Sequence, residues 1–159
     1  MLNDQQLQTL GAYIAMVPEW AALPLNSDGA YDIARELNKP VVPDFVVWKT
    51  NVPRNEVGKE FVASALAAIT SGNNDKLANF AAWNESVNPS RADQRAFFDD
   101  VFSVAAGAST RAALLALWKR SANHVEKLFA TGTGSDASPA TMVIEGAIGY
   151  ADVQAARDL

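Results

Sequence analysis

A helical repeat of apolar residues that runs directly into a glycine-rich segment constrains this chain more than any other feature. Between Ser109 and Met142, side chains suited to one helix face recur every three or four residues before the sequence TGTGSDASPA begins. The stripe consists of Leu114, Trp118, Ser121, Val125 and Leu128. Such spacing predicts an amphipathic helix with one face on a core. Because Ser121 breaks the apolar face and is a good N-cap, the pattern fits either one helix or two helices that meet there.

The glycine-rich loop at residues 131–140 should begin where this helix ends. Gly132 suits the left-handed conformation that follows a helix C-terminus. The loop also offers backbone amides and hydroxyls to an anion. However, it leaves the negative end of a helix and lacks the GK[ST] ending of a P-loop. A helix stop with a surface loop is therefore favoured over an anion site.

Helical periodicity recurs along most of the remaining chain. The predicted helices cover residues 4–16, 28–38, 53–70, 75–85, 91–106 and 150–157. The inward face of the helix at 75–85 comprises Leu77, Phe80 and Ala81, with Trp83 as a further candidate. The two most strongly amphipathic helices are neighbours in sequence, so we expect them to pack face to face. The residues expected in their shared core are Phe98, Phe102, Trp118, Leu128 and Phe129.

Residues 39–53 differ in kind from the helical segments. Prolines at positions 40, 43 and 53 oppose a helix, and FVVW contains strand formers, so an extended segment is expected. The one pairing expected joins Val46–Trp48 to residues 142–144. The sequence thus predicts a mainly α, single-domain bundle of about six helices over residues 1–159, with at most a short two-stranded ribbon.

Composition excludes several classes of function. Cysteine is absent, which removes disulfides, thiolate catalysis and cysteine-based zinc sites. The net charge of −5 argues against general nucleic-acid binding, which usually needs a basic face. No apolar run approaches the length of a membrane span, and no basic-then-apolar leader is visible, so we expect synthesis in the cytoplasm and no membrane association.

The side chains that could perform chemistry do not form a recognisable constellation. His124 is the only histidine, and Glu126, two residues later, does not share its helix face. Asp99 and Asp100 are adjacent and point about 100° apart on a helix. We therefore expect no catalytic residue, no metal site and no cofactor.

Two irregular segments are the candidate surfaces for a partner, because binding residues often lie in loops held by a rigid scaffold. One is the proline-bounded segment around Trp48, although its aromatic residues are also typical of a core. The other is the glycine-rich loop. The candidate partner-binding residues are Trp48, Lys49, Arg54, Thr131, Gly132, Thr133, Gly134, Ser135 and Ser138.

Three segments carry a resemblance to a known group of proteins. They are FVVWKTNV at residues 45–52, NPSRADQRAFFDDVF at 88–102 and EKLFATGTGSDASPATM at 126–142. In this order and spacing they resemble a family of small, functionally unassigned proteins of tailed bacteriophages and prophages. The resemblance covers nearly the whole chain and implies a viral origin, but it supplies no catalytic residue.

The expected function is therefore that of a non-enzymatic phage protein. A virion or morphogenesis subunit, such as a head, neck or tail accessory protein, fits a small helical domain without visible chemistry. Its partners would be other phage structural proteins and further copies of itself, and it would pass from the host cytoplasm to the virion. The alternative is an effector that binds or sequesters a host defence protein or a nucleotide signal, with a small-molecule ligand.

Overall fold

The computed structural model describes residues 1–159, and the chain is mainly α-helical, as the sequence predicts. The helices are α1 (Asp4–Ala15), α2 (Pro18–Ala21), α3 (Ser27–Leu37), α4 (Arg54–Lys59), α5 (Ala63–Ala68), α6 (Ser71–Trp83), α7 (Ala92–Val101), α8 (Ala108–Leu117), α9 (His124–Phe129) and α10 (Tyr150–Arg157). The strands are β1 (Val46–Trp48), β2 (Val52–Pro53), β3 (Ser86–Val87) and β4 (Lys119–Ser121). A 3-10 turn, Ala105–Gly107, precedes α8. None of the helices has the length and apolar character of a membrane span.

Ten helices take the place of the predicted six or so, because the stretches at 53–70 and 109–130 each form two helices and α2 adds a further short one. The predicted helix at 53–70 divides at residues 60–62. There the Val62 N–H donates to Thr110 Oγ1 at 3.1 Å, and the Phe61 ring centroid lies 5.1 Å from that of Phe102. These tertiary contacts compete with a continued helix, and Gly58 weakens the preceding turn.

Residues 109–130, which carry the helical stripe described above, form α8 and α9 with the strand β4 between them. Ser121 belongs to β4, so it does not cap the second helix. Asn123 does: its side chain accepts the Glu126 N–H at 2.8 Å, and the Glu126 carboxylate accepts the Asn123 N–H at 3.0 Å. This reciprocal capping box starts α9.

Two short ribbons replace the single ribbon that was expected. β1 pairs with β4 and not with residues 142–144, so the predicted partner is wrong. β2 pairs antiparallel with β3, with Val52 opposite Val87 and Pro53 opposite Ser86. The partner strands have the sequences KRS and SV, which carry no strand-forming pattern.

Backbone contacts divide the chain into two compact units, Met1–Val46 with Ser121–Leu159, and Val47–Arg120. We call them the first and second unit. The chain leaves the first unit within β1 and returns to it within β4. Single-domain organisation of residues 1–159 concerns cooperative unfolding and stays a prediction.

The first unit has an aliphatic core between helices. The fully buried side chains include Leu10, Ile33, Leu37, Val125 and Val153. α1 and α3 both pack on α10. Gly11 permits the close approach of α1, because a Cβ there would lie 2.3 Å from the Ala156 carbonyl oxygen. The Asn38 side chain bonds both backbone groups of Ile148, at 2.9 and 3.0 Å, and so fixes the entry to α10.

The second unit has an aromatic core. The Phe98 ring lies within 5.2–6.5 Å, between centroids, of the rings of Phe61, Phe80, Phe97 and Trp118. The pairs with Phe80, Phe97 and Trp118 are edge-to-face, an arrangement that stabilises aromatic pairs beyond area burial alone. The buried Trp118 indole N–H has no hydrogen-bond partner.

The predicted common core is therefore correct only in part. Phe98, Phe102 and Trp118 lie together in the second unit. Leu128 and Phe129 are partly buried against the core of the first unit. The chain changes units within β4, and the buried residues of α8 and α9 belong to the cores of different units.

Candidate functional site

The glycine-rich loop is attached to the first unit at several points. Thr131 and Thr141 exchange two backbone hydrogen bonds, at 2.8 and 2.9 Å. Inside the loop, the Gly134 carbonyl accepts the Val46 N–H at 2.7 Å, and the Ala140 N–H donates to the Val46 carbonyl at 2.9 Å. Both backbone groups of Val46 are thus bonded to the loop, which fixes its path.

Two glycines of the loop serve turn geometry and a close approach. α9 ends at Phe129 and Ala130 is extended, so Gly132, with φ 122°, lies beyond the helix end and not at the position predicted for it. Gly134 has φ 66°, a left-handed value that favours glycine. A Cβ at Gly134 would lie 2.1 Å from a carbon of the Phe45 ring. Gly134 is buried and is therefore an anchor of the loop.

The exposed part of the loop is closed by its own hydroxyl groups. The Thr133 hydroxyl donates to the Ser138 carbonyl at 3.0 Å, and the Ser138 N–H donates to Ser135 Oγ at 3.0 Å. Thr131, Thr133, Ser135 and Ser138 are exposed, as is Gly132. A partner would therefore meet a pre-shaped polar tip.

The structure corrects the exposure assumed for Trp48. Its side chain is only 8% exposed and belongs to the core of the second unit. The Arg95 guanidinium lies 4.4 Å from its ring centroid, a cation–π geometry. Burial lowers the pKa of Arg95 below its ordinary value, and the charge of Asp99 opposes that shift. Trp48 thus offers very little of its ring to a partner.

Lys49 is held at its backbone and is half-buried. Its N–H donates to the Trp118 carbonyl at 2.8 Å, and its carbonyl accepts the Ser90 N–H at 3.1 Å. The segment after Trp48 is therefore a fixed crossing between β1 and β2. Pro53 and Arg54, which follow this crossing, are exposed.

Arg54 lies beside a residue that the sequence interpretation placed among core candidates. Trp83, at the end of α6, is 87% exposed. The Arg54 guanidinium donates to the Ala81 carbonyl, and the Arg54 N–H donates to the Glu85 carbonyl at 2.9 Å. We call the exposed side chains of Pro53, Arg54 and Trp83 the Trp83 surface.

The helical spacing in the sequence already indicates that Trp83 lies on the surface. Leu77, Phe80 and Ala81 lie on one stripe, whereas Trp83, six residues after Leu77, is rotated about 120° from it at 100° per residue. α6 has no fully buried residue. An aromatic residue off the apolar stripe of a weakly buried helix is thus a surface candidate.

Among the open grooves on the first unit, two have small apolar or tyrosine side chains in their linings. The larger, of about 510 Å³, runs between α1 and α10 and is lined mainly by small apolar side chains; we call it the α1/α10 groove. The smaller, of about 360 Å³, has Tyr31, Arg35 and Tyr150 in its lining; we call it the tyrosine groove. Tyr31 and Tyr150 are 61% and 51% exposed.

The groups that could perform acid–base or metal chemistry serve other contacts. The His124 ring contacts the Trp20 ring edge-on at 6.5 Å, and Asp100 pairs with Lys76 at 2.8 Å. The buried Glu126 carboxylate accepts the Gly146 N–H at 2.8 Å, which ties α9 to the segment before α10. No group of three or more His, Cys, Asp or Glu side chains is placed to hold a metal ion.

The two units differ in charge. The first contains eleven acidic side chains and four Lys or Arg, a net charge of −7. The second contains seven acidic side chains and nine Lys or Arg, a net charge of +2. Surfaces of opposite sign steer association and fix its register.

Comparison with protein-family models, curated proteins and solved structures gives no match to the chain.

Proposed function

We propose that this protein is a non-enzymatic phage subunit, part of the virion or of its assembly, that acts through protein–protein contacts. The resemblance of three segments to proteins of tailed phages supports the viral origin. The contacts made by His124, Asp100 and Glu126 support a role without turnover, because each group stabilises the fold and none faces a shared reaction site.

The Trp83 surface is the observation that carries this proposal. Tryptophan and arginine are the residue types most enriched among energetically dominant interface positions. An indole that is 87% exposed beside an anchored arginine is costly to leave in water, since burial of a large aromatic side chain removes about 150–250 Å² of surface from solvent. A partner that covers Trp83 would gain the free energy of removing that surface from water.

The tip of the glycine-rich loop is proposed as a second contact surface. Its hydroxyl groups are exposed, while Gly134 and Ala140 anchor the loop from below. Substitution of Thr133 or Ser135 alters the tip and leaves Gly134 in place. Such variants test binding without removing the anchor.

Quantitative mass spectrometry of phage particles purified from an induced lysate tests the function. We expect the protein at a fixed ratio to known capsid or tail proteins. A Trp83→Ala phage should lose the protein from its particles, whereas a Tyr31→Ala phage, which changes an exposed aromatic residue elsewhere, should retain it. Absence of the wild-type protein from particles would contradict a virion role.

The tyrosine groove favours a second candidate, an effector that binds a nucleotide signal. Exposed tyrosine rings offer stacking faces to a base, and Arg35 offers a positive charge to a phosphate, although it also pairs with Asp32 at 3.0 Å. Calorimetric titration with ADP and with cyclic di-AMP tests this candidate. Binding that is lost in Tyr150→Ala would support it, and no heat with either nucleotide would exclude it for both.

A further inference from the structure

We propose that the first partner of this protein is a second copy of itself, joined head to tail, with Trp83 of one copy seated in the α1/α10 groove of the next. This inference rests on the proposed function, because it names the partner of the Trp83 surface. It assigns a different half of the contact to each compact unit. The second unit supplies the inserted side chain, and the first unit supplies the groove.

The groove has the size and lining that an indole needs. Its volume is about 510 Å³, whereas a cavity of about 150 Å³ is enough to bind benzene. Its lining includes the buried Ile14 and Ala156 and the exposed Ala12, Ala15 and Ala21. The alanine side chains of α1 are exposed and leave space that a larger side chain would fill. An aromatic ring from outside would meet apolar atoms on several sides.

An arginine in the lining of the groove is held in place by two backbone carbonyls. Arg157 lines the groove, and its guanidinium donates to the Leu23 and Pro24 carbonyls at 2.7 and 2.8 Å. These two bonds fix the guanidinium plane. A fixed guanidinium that meets an indole face gives a cation–π contact, for which tryptophan is the best ring.

Charge complementarity favours another copy of the chain as the occupant. The Trp83 surface contains Arg54 and lies on the unit with net charge +2, and the groove lies on the unit with net charge −7. Two exposed acids, Glu19 and Asp158, are close in sequence to the groove residues Ala21 and Arg157. Arg54 of the incoming copy would meet carboxylates there.

The contact joins two different surfaces, so it is heterologous. An open chain of such contacts still has one free Trp83 at one end and one free groove at the other, so rings or filaments result, depending on the rotation between copies. Assembly beyond a dimer therefore distinguishes this contact from an isologous one, which closes at two copies. Two variants that are each defective in a different half should restore one contact when mixed.

The test uses the full chain and sedimentation velocity. Trp83→Ala removes the inserted side chain. A double variant with Ala12→Leu and Ala15→Leu fills the groove at exposed positions of α1. We expect wild type to form species larger than a dimer as concentration rises, and each variant alone to stay monomeric. An equal mixture should give a 1:1 heterodimer and nothing larger.

Tyr150→Ala is the matched control, since it removes an exposed aromatic residue outside the groove and should assemble like wild type. Circular dichroism checks that all variants keep the wild-type helical spectrum. Trp83→Phe keeps an aromatic ring and should therefore retain part of the assembly. It provides a second test of the inserted ring if the alanine variant does not fold.

Three results would overturn the proposal: a wild-type monomer at about 100 μM, far above the micromolar limit of specific interfaces of standard size; a mixture that stays monomeric; or a Trp83→Ala protein that assembles like wild type. Particle mass spectrometry remains independent of these outcomes. A monomer that is present in particles would refute self-assembly alone, and absence from particles would refute the virion role alone.

Discussion

The first unit packs aliphatic faces of helices against one another, whereas the second packs aromatic rings against one another. In the first, α1, α3 and α10 present side chains at helical spacing, and Gly11 sets how closely α1 approaches α10. In the second, Phe98 touches rings from three other segments. Helix periodicity therefore specifies one core, and tertiary assembly of aromatic residues specifies the other.

The units also differ in what they leave exposed. The first unit, with net charge −7, has open grooves, and the second, with net charge +2, has an exposed tryptophan beside an arginine. A groove and a protruding aromatic side chain on regions of opposite charge are complementary features.

Loss of an aromatic ring from the second unit should have the largest effect on stability. Phe102→Ala is expected to lower the free energy of unfolding by about 3–5 kcal/mol, because it leaves a cavity at a fully buried position. Leu10→Ala, at an equally buried position of the first unit, should cost about 2–5 kcal/mol. Urea unfolding followed by circular dichroism measures both.

These two variants also test the predicted single-domain organisation. If residues 1–159 unfold as one cooperative domain, each variant shifts a single transition. Two transitions, of which each variant shifts a different one, would show two domains instead. A Phe102→Ala loss below about 1 kcal/mol would contradict an aromatic core, since buried Phe→Ala changes cost several times more.

Two glycine substitutions should have opposite effects. Gly11→Ala places a Cβ 2.3 Å from the Ala156 carbonyl oxygen and should cost about 1–3 kcal/mol, because α1 must move from α10. Gly58→Ala, in α4 with open space around it, should stabilise the protein by about 0.5–1 kcal/mol through helix propensity. Thermal unfolding compares the two. A neutral Gly11→Ala would show that α1 packs more loosely.

Loss of the cap of α9 should have an intermediate effect. The Asn123 side chain accepts the Glu126 N–H at 2.8 Å and donates to the Gly146 carbonyl at 3.0 Å. Asn123→Ala should therefore cost about 0.5–2 kcal/mol. Asn123→Ser keeps an oxygen acceptor for the Glu126 N–H and lacks the amide donor, so it should recover part of the loss. Equal losses in both variants would assign the effect to the bond with Gly146 alone.

Removal of the exposed indole should have the smallest effect on stability. Trp83→Ala is expected to change the free energy of unfolding by at most about 0.5 kcal/mol, as usual for surface substitutions away from structural contacts. It should be measured at a concentration where the protein is monomeric, because assembly adds to apparent stability. A loss above about 2 kcal/mol would place the indole in the core of the second unit.

The sequence predicts the first unit better than the second. The bounds predicted for α1 and α10 agree with the structure within one or two residues, since both helices have clear apolar spacing and end signals. The break after α4 was missed because Phe61 turns into the aromatic core and Val62 bonds Thr110. Local spacing carries no information about such distant partners.

The sequence predicted only some residues of the candidate site. Arg54 belongs to the Trp83 surface, and the loop hydroxyls are exposed. Trp48 proved to be core, because Arg95 and the aromatic cluster cover it. The α1/α10 groove could not be foreseen, since it depends on how two helices distant in sequence cross at Gly11.

Fluorine NMR of protein labelled with 5-fluorotryptophan tests the central claim, that Trp83 is the inserted side chain of a contact between copies. The four tryptophans give four resonances, and Trp83→Phe assigns one of them. We expect the Trp83 resonance to move as concentration rises, together with that of Trp20, which adjoins the groove residue Ala21 in sequence. The buried Trp48 and Trp118 should keep their shifts. A Trp83 resonance that stays constant while the protein assembles would contradict the account.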